Sequence, residues 1–206
     1  MKFNKPKIKN CISKDIKECL DNNEVYNGIF SNNFDEKIKF VTIDSCIFEN
    51  ISFNSGQFDS VELVDVIFRN CDLSNQDFSK QLLSRVVFDN CKMVGVNFID
   101  SNIKDVEFNN CNCRYVNMAN AKVNGLIIKD SNFSEASFNE ASIKNVEFEN
   151  VDFYRAEFFN ICLENIDFSS CNISGIRIDD KSIKGIIIDR FQSECIVELF
   201  GVKVKV

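Results

Sequence analysis

An apolar residue, nearly always a large one, recurs at every fifth position through most of this chain of 206 residues. The series is unbroken from Ile43 to Ile188, and a second series of small or neutral residues precedes it by two positions. An α-helix buries residues with a period of about 3.6 and a strand with a period of 2, so this spacing fits neither. Such strict self-similarity predicts a repeat architecture, in which each unit buries its apolar side by stacking on its neighbours.

The five-residue units share one pattern: a small residue, a short polar residue, a large apolar residue and two variable positions. Residues 71–75 (CDLSN), 136–140 (ASFNE) and 151–155 (VDFYR) show it clearly. In this pattern the chain resembles the pentapeptide-repeat proteins. The resemblance implies an all-β fold, a right-handed quadrilateral parallel β-helix in which four units form one coil. We assign residues 38–188 to this solenoid, with an N-terminal cap before it and a short helix after it.

If four units form one coil, residues twenty positions apart stack in columns about 4.8 Å apart. The column that begins at Phe58 is then almost entirely Phe, and the column that begins at Phe48 contains Phe and Ile. Replacing one such Phe with Ala should cost about 3–5 kcal/mol. A further column at a turn position, typical of residues that tolerate unusual backbone angles, consists of Asn50, Asn70, Asn90, Asn110 and Asn150.

Both ends of such a rod need caps, because open coils expose unpaired backbone groups. Residues 1–37 depart from the five-residue register and form the predicted N-terminal cap or extension. They begin with four basic residues, Lys2, Lys5, Lys7 and Lys9. A short helix is predicted after Ser13 as its N-cap, because the apolar residues that follow share one helical face. Those residues are Ile12, Ile16, Cys19 and Leu20.

Residues 189–206 also leave the register and form the predicted dimerisation segment. Asp189 can cap a helix there, and Gly201 lies where a helix would stop. The apolar residues of this helix exceed what one end cap needs to bury, which predicts a homodimer; they are Phe191, Cys195, Ile196, Leu199 and Phe200. Beyond Gly201, Val202, Val204 and Val206 alternate with Lys203 and Lys205, which predicts a short terminal strand.

Composition argues against catalysis. The chain has no His, the commonest general base, and its carboxylates show no pocket signature. Cys71, Cys91 and Cys111 share one inward column, so they are interpreted as small, reduced core residues and not as metal ligands. We therefore predict no enzyme activity, catalytic residue, metal, cofactor or small-molecule substrate. Without a visible membrane span or secretory signal, the predicted location is the cytoplasm.

Charge is distributed unevenly over the predicted sides. The net charge is −7, which disfavours direct nucleic-acid binding. Acidic residues concentrate on the sides named after Phe48 and Phe58, and the leading candidates for partner contacts are Glu49, Asp89, Glu107, Glu147, Glu149, Asp167, Asp59, Asp77 and Asp100. The side named after Leu63 is richer in basic residues, namely Arg85, Lys104, Lys122, Lys144 and Lys184. Acidic rows on a rod suffice to explain solubility, and they also resemble the phosphate rows of duplex DNA.

The tail narrows the resemblance within the family. Residues 188–192 (IDRFQ) and 198–204 (ELFGVKV) are similar to the C-terminal segment of the bacterial quinolone-resistance group, the Qnr and MfpA proteins. This similarity implies a two-fold dimer through the C-terminal helix. It also implies binding to DNA gyrase or topoisomerase IV as a DNA mimic, with modulation of the enzyme or protection from fluoroquinolones. The alternative is a scaffolding repeat protein with a different protein partner and no topoisomerase activity.

Overall fold

In the computed structural model, which describes residues 3–22 and 25–204, the chain winds into a four-sided parallel β-helix. The main sheet has eight parallel strands in the order β1 (Ile12–Ser13), β2 (Gly28–Phe30), β4 (Thr42–Glu49), β6 (Glu62–Arg69), β7 (Leu82–Asp89), β8 (Asn102–Asn109), β9 (Lys122–Lys129) and β10 (Ser142–Glu149). Two smaller parallel sheets pair β3 (Ile38–Lys39) with β5 (Phe58–Asp59), and β11 (Glu157–Phe158) with β12 (Arg177–Ile178). From β4 onward, paired residues are twenty apart, as Phe48 and Phe68 are. The predicted fold class is confirmed.

Corners between the sides fall at every fifth residue. Asn50, Asp65 and Asn70 have φ of 58°, 54° and 51°, two positions after an inward apolar residue. Asn and Asp tolerate this left-handed region better than most residues. Their side chains also bond along the column: Asn70 Nδ2 donates to Asn50 Oδ1 at 3.1 Å, and Asn90 Nδ2 donates to Asn70 Oδ1 at 2.7 Å. The predicted role of the Asn column is therefore confirmed.

Phenylalanine ladders fill the interior, as the columns predict. The rings of Phe48 and Phe68 are 5.1 Å apart and inclined by 12°, and those of Phe138 and Phe158 are 4.9 Å apart and inclined by 3°. All four side chains are buried. Because coils repeat at nearly the separation that stacked rings prefer, identical residues in one column pack without gaps.

The predicted N-terminal helix is present as α1 (Ile16–Asp21), but the prediction of its N-cap was wrong. Asp15 caps it, with Oδ1 accepting the N–H of Lys17 at 2.8 Å, because a carboxylate is favoured beside the positive end of a helix. Ser13 and Ile12 instead form β1, and Ile12 is exposed. Ile16 and Cys19 are buried against the first coil, as predicted.

Two strands of residues 1–37 also join the main sheet. Phe30 in β2 pairs with Phe48, eighteen residues later, and their rings are 5.0 Å apart. Ile12 in β1 pairs with Gly28, sixteen residues later. These shorter separations explain why a five-residue pattern does not reveal the first coils.

At the other end, Gln192 ties the C-terminal helix to the β-helix. It is buried, and its Nε2 donates to the carbonyl oxygens of Phe168 and Cys171 at 2.8 and 2.6 Å. Asp189 Oδ1 accepts the N–H of Gln192 at 3.0 Å, so it caps the turn that precedes α2 (Ser193–Leu199). Gly201, with φ of 75°, donates its N–H to Glu198 at 2.9 Å and ends the helix where the sequence predicted.

The predicted terminal strand differs from the structure. Residues 202–204 follow α2 without strand pairing, so the alternation of Val and Lys there does not extend a sheet. Lys205 and Val206, the end of that prediction, lie outside the described residues, as does Lys2 at the start.

Candidate interaction surface

The nine acidic residues singled out from the sequence all lie on the outside of the β-helix, and none is buried. The Phe48 side, which comprises residues 46–50 and the residues twenty apart from them, carries Glu49, Asp89, Glu107, Glu147, Glu149 and Asp167. The Phe58 side, built in the same way on residues 56–60, carries Asp59, Asp77 and Asp100. Because each coil has four sides, the two groups face in opposite directions. They form two surfaces and not one site.

The acidic row on the Phe48 side is partly neutralised by its own neighbours. Arg69 Nη1 lies 2.9 Å from Glu49 Oε1 in the adjacent strand. Lys129 Nζ lies 2.7 Å from Glu149 Oε2 and 3.2 Å from Glu147 Oε1. Exposed pairs of this kind add little stability, but they cancel part of the negative charge that a partner would meet. The prediction from the sequence used the total charge of each side and did not consider which acidic and basic residues lie next to each other in one column.

Of the six candidates on that side, three form no ion pair in the described part of the chain: Asp89, Glu107 and Asp167. Asp89 Oδ1 accepts a hydrogen bond from Asn109 Nδ2 at 3.0 Å. Hydrogen bonds from the Ser169 hydroxyl and N–H hold the pKa of Asp167 below its ordinary value. Asp167 is therefore ionised at neutral pH and remains available to a cationic partner.

Apolar residues predicted for the dimer interface are only partly buried by the end of the rod. Phe191, Phe200 and Leu199 are 74%, 59% and 40% exposed. Cys195 and Ile196 are half-buried, and Ile196 packs against the core. Val202 and Val204 extend the exposed apolar patch beyond α2. Exposed apolar side chains that cluster in this way are typical of an interaction surface.

Features that could support other chemistry are few. Among residues 3–22 and 25–204, no group of three or more His, Cys, Asp or Glu side chains could hold a metal ion. Cys71, Cys91 and Cys111 form no disulfide, and contacts between neighbouring thiols together with burial raise the pKa of all three. Such thiols stay protonated and pack as small core residues. No helix in the described part of the chain is long and apolar enough to cross a membrane.

The sequence did not predict that the N-terminal segment contacts the outside of the β-helix. The Leu63 side comprises residues 61–65 and the residues twenty apart from them. Residues 3–11, which we call the strap, run along the corner between this side and the Phe48 side. The N–H of Lys7 donates to Asp65 Oδ1 at 2.8 Å, and Asn4 Nδ2 donates to Asp105 Oδ2 at 2.8 Å. The only sequence signal of an extended strap is the alternation of Lys with Pro or Ile in residues 5–9.

Comparison with protein-family models finds two matches. A model described as "Pentapeptide repeat region" matches residues 61–129. A second, described as "Pentapeptide repeats (8 copies)", matches residues 131–169. Together the two stretches take up more than half of the chain. No curated protein matches the sequence.

Solved structures with a similar backbone include a trypsin-treated variant of QnrB1, described as a plasmid-mediated fluoroquinolone resistance protein. It is 18% identical with a TM-score of 0.49, and the match covers 86% of this chain and 99% of that one. HetL, a pentapeptide-repeat protein involved in heterocyst differentiation regulation from the cyanobacterium Nostoc, is 11% identical with a TM-score of 0.46, covering 80% of this chain and 88% of that one. At these values the matches add nothing about function.

Proposed function

The chain belongs to the pentapeptide-repeat proteins, and from that premise we propose that it is a non-enzymatic DNA mimic that binds a type II topoisomerase, DNA gyrase or topoisomerase IV. The observation that carries the proposal is a β-helix with rows of carboxylates along its outside. Duplex DNA presents one phosphate per about 1.7 Å of axis, and proteins that hold it do so with basic grooves. Because the expected partner acts on bacterial chromosomal DNA, we place the protein in the cytoplasm of a bacterium.

The acids without ion pairs carry most of the binding in this proposal. Asp89, Glu107 and Asp167 can meet a basic groove without first breaking a bond to a neighbouring cation. Glu49, Glu147 and Glu149 must give up part of their interaction with Arg69 or Lys129. Charged surfaces of this kind mainly set the association rate and the specificity, and their effect falls with salt.

Charge reversal tests the proposal directly. Replacing Asp89, Glu107 and Asp167 together with Lys is expected to weaken gyrase binding at least tenfold at low salt, because each change replaces an attraction with a repulsion. The measurement is gyrase supercoiling while the protein is titrated in, with and without a fluoroquinolone, alongside a direct binding curve. The matched control reverses Asp59, Asp77 and Asp100 on the opposite side.

The two sets separate the outcomes. If the control weakens binding and the first set does not, the Phe58 side is the contact surface. If wild-type protein binds gyrase and both sets bind as well as it does, the DNA-mimic mechanism is wrong. If wild-type protein has no effect at tens of micromolar and low salt, the topoisomerase proposal fails altogether.

A scaffolding function with another protein partner is the second candidate, and one feature favours it. Tyr115 and Tyr154 are 47% and 38% exposed on the Phe53 side, which is built on residues 51–55. Arg114 and Arg155 each lie 5.0 Å from the ring centre of the neighbouring Tyr. Tyr and Arg are the residue types that dominate binding energy at protein interfaces. A partner that requires Tyr115 and Tyr154 but no acidic side would favour this candidate.

We also propose a homodimer through α2, using Phe191, Cys195, Ile196, Leu199 and Phe200. Replacing Phe191 and Leu199 together with Ser is expected to convert a dimer to a monomer at micromolar concentration, because it removes exposed apolar area from the interface. Light scattering measures the change. These substitutions test the interface more specifically than truncation after Ile188, because truncation would also remove Gln192 and uncover the last coil.

The control for that test is Phe40→Ser at the opposite end of the rod. Phe40 is 79% exposed, so its replacement removes a similar apolar surface without touching α2. A monomeric wild-type protein would show that the interface assignment is wrong. A mass that shifts equally in the control would show that association does not run through α2.

A further inference from the structure

The strap hides two carboxylates of the β-helix surface. Asp65 and Asp105 are only 6% and 4% exposed, although both belong to outward corner positions. Arg85 holds both oxygens of Asp65 at 2.6 Å, and the Lys7 N–H adds a third hydrogen bond. Asn4 bonds to Asp105. The charge of Asp65 is therefore compensated by Arg85, and the strap covers both carboxylates.

The same strap presents lysines to solvent. Lys5, Lys7 and Lys9 are exposed, whereas Pro6 and Ile8 between them are partly buried. The strap is extended, so successive side chains point in opposite directions and its lysines face outward. A corner that the repeat alone would make acidic thus becomes basic.

Next to the strap, the Leu63 side carries three further lysines on β8, β9 and β10, and its one acid on these strands, Asp105, is covered by the strap. Its outward residues before the corner are Asn102, Lys104, Lys122, Asn124, Ser142 and Lys144, all paired in register. Lys104 and Lys144 stand two coils apart, roughly 10 Å, with Lys122 on the strand between them. None of the three forms an ion pair within residues 3–22 and 25–204.

We propose that this basic strip, defined as Lys5, Lys7, Lys104, Lys122 and Lys144, binds the sugar-phosphate backbone of duplex nucleic acid without sequence specificity. Lysine side chains supply most sequence-independent contacts to phosphate. Lys104 and Lys144 lie in one column and Lys122 lies two residues to one side of it, so the strip offers one cation per coil, about 5 Å apart along the rod, to the phosphates of one strand. The net charge of −7 does not prevent this, because charges across the rod are screened over about 10 Å at 0.1 M salt.

Two other occupants fit less well. Protein interfaces are depleted in Lys and enriched in aromatic residues, and the basic strip contains no aromatic residue. Binding of a protein segment to an anionic membrane surface is stronger where apolar side chains insert between lipids. None of the five residues provides one. Two carboxylates lie closest to the strip: Asp105, which the strap covers, and Glu164, twenty residues after Lys144 on the same side. Asp100 and Glu140 lie at one corner, and Glu107 and Glu147 lie beyond the strap, so the strip is narrow and matches one backbone strand, not a groove.

Fluorescence anisotropy with a labelled 25-base-pair duplex of arbitrary sequence tests the proposal on the full chain. Replacing Lys104, Lys122 and Lys144 together with Glu is expected to weaken binding at least tenfold in low salt. The slope of log affinity against log salt should also become shallower by about 3, because each lost phosphate contact releases about one counterion fewer. Circular dichroism confirms that the variant keeps its fold.

The matched control replaces Lys37, Lys39 and Lys80 with Glu. They are exposed on the Phe58 side, and the change in net charge is the same. Unchanged control binding is expected. An equal loss of affinity in the control would show that overall charge causes the effect and would overturn the proposal. Absence of wild-type binding to the duplex at low salt would overturn it as well.

Two further measurements distinguish nucleic acid from the other possible partners, an anionic membrane and a second copy of the chain. Equal affinity for vesicles containing phosphatidylserine would overturn the assignment to nucleic acid. Salt-sensitive self-association that the Glu variant abolishes, without duplex binding, would assign the strip to a second copy of the chain. No topoisomerase is present in any arm, so this proposal and the proposed function can each fail alone.

Discussion

Replacing Phe88 with Ala is expected to destabilise the protein by about 3–5 kcal/mol, among the largest effects of any single substitution. Phe88 is fully buried between two stacked rings, Phe68 at 5.2 Å and Phe108 at 5.0 Å, inclined by 8° and 14°. Ala would leave a cavity that neighbouring coils cannot close, because backbone hydrogen bonds on all sides fix their separation. Urea unfolding followed by circular dichroism measures the loss.

The control is Phe40→Ala, at a residue that is 79% exposed. Its effect should stay within about 0.5 kcal/mol, because no buried contact is lost. Unfolding of a repeat array can lose cooperativity, so the slope of the transition must be compared along with its midpoint. A cost below about 1 kcal/mol for Phe88→Ala would contradict the view that the Phe ladders stabilise the rod.

Replacing Arg85 with Met is expected to cost about 3 kcal/mol, because it leaves the carboxylate of Asp65 buried without its cation. The side chains of Arg85 and Asp65 are 20% and 8% exposed, and the guanidinium bonds both carboxylate oxygens at 2.6 Å. Met keeps most of the volume and removes the charge. The matched control is Arg69→Met, whose pair with Glu49 is exposed and should contribute less than about 1 kcal/mol.

The same pair predicts how stability depends on pH. Burial raises the pKa of the Asp65 carboxyl, but hydrogen bonds from Arg85 and the Lys7 N–H outweigh it and hold the pKa below its ordinary value of 3.8. A lowered folded-state pKa contributes stability above the unfolded pKa and loses it as pH falls. The difference between wild type and Arg85→Met should therefore be constant near neutral pH and shrink below about pH 4. A difference that does not change with pH would show that lost packing, not the ion pair, causes the effect.

Much of the fold could be predicted because the residues of each column recur at a fixed spacing in the sequence. The inward position of Phe48 and Phe68 and the turn role of Asn50 and Asn70 follow from a period of five once four units are taken as one coil. The helix ending at Gly201 was equally visible, since its stop signal is adjacent to it. The N-cap was misplaced from Asp15 to Ser13 because both can cap, and only strand pairing of Ser13 decides between them.

The sequence by itself determined the β-helix, through its resemblance to the pentapeptide-repeat family. It also determined the Phe ladders and the sides on which the acidic residues lie, because these follow from the spacing once four units form one coil. Only the tertiary structure decided which charges are free. Arg69 neutralises Glu49 across one coil, and the strap covers Asp65 from 58 residues away. The five-residue period does not specify which way an exposed side chain turns or where the strap runs. Both depend on packing that exists only after the coil has formed.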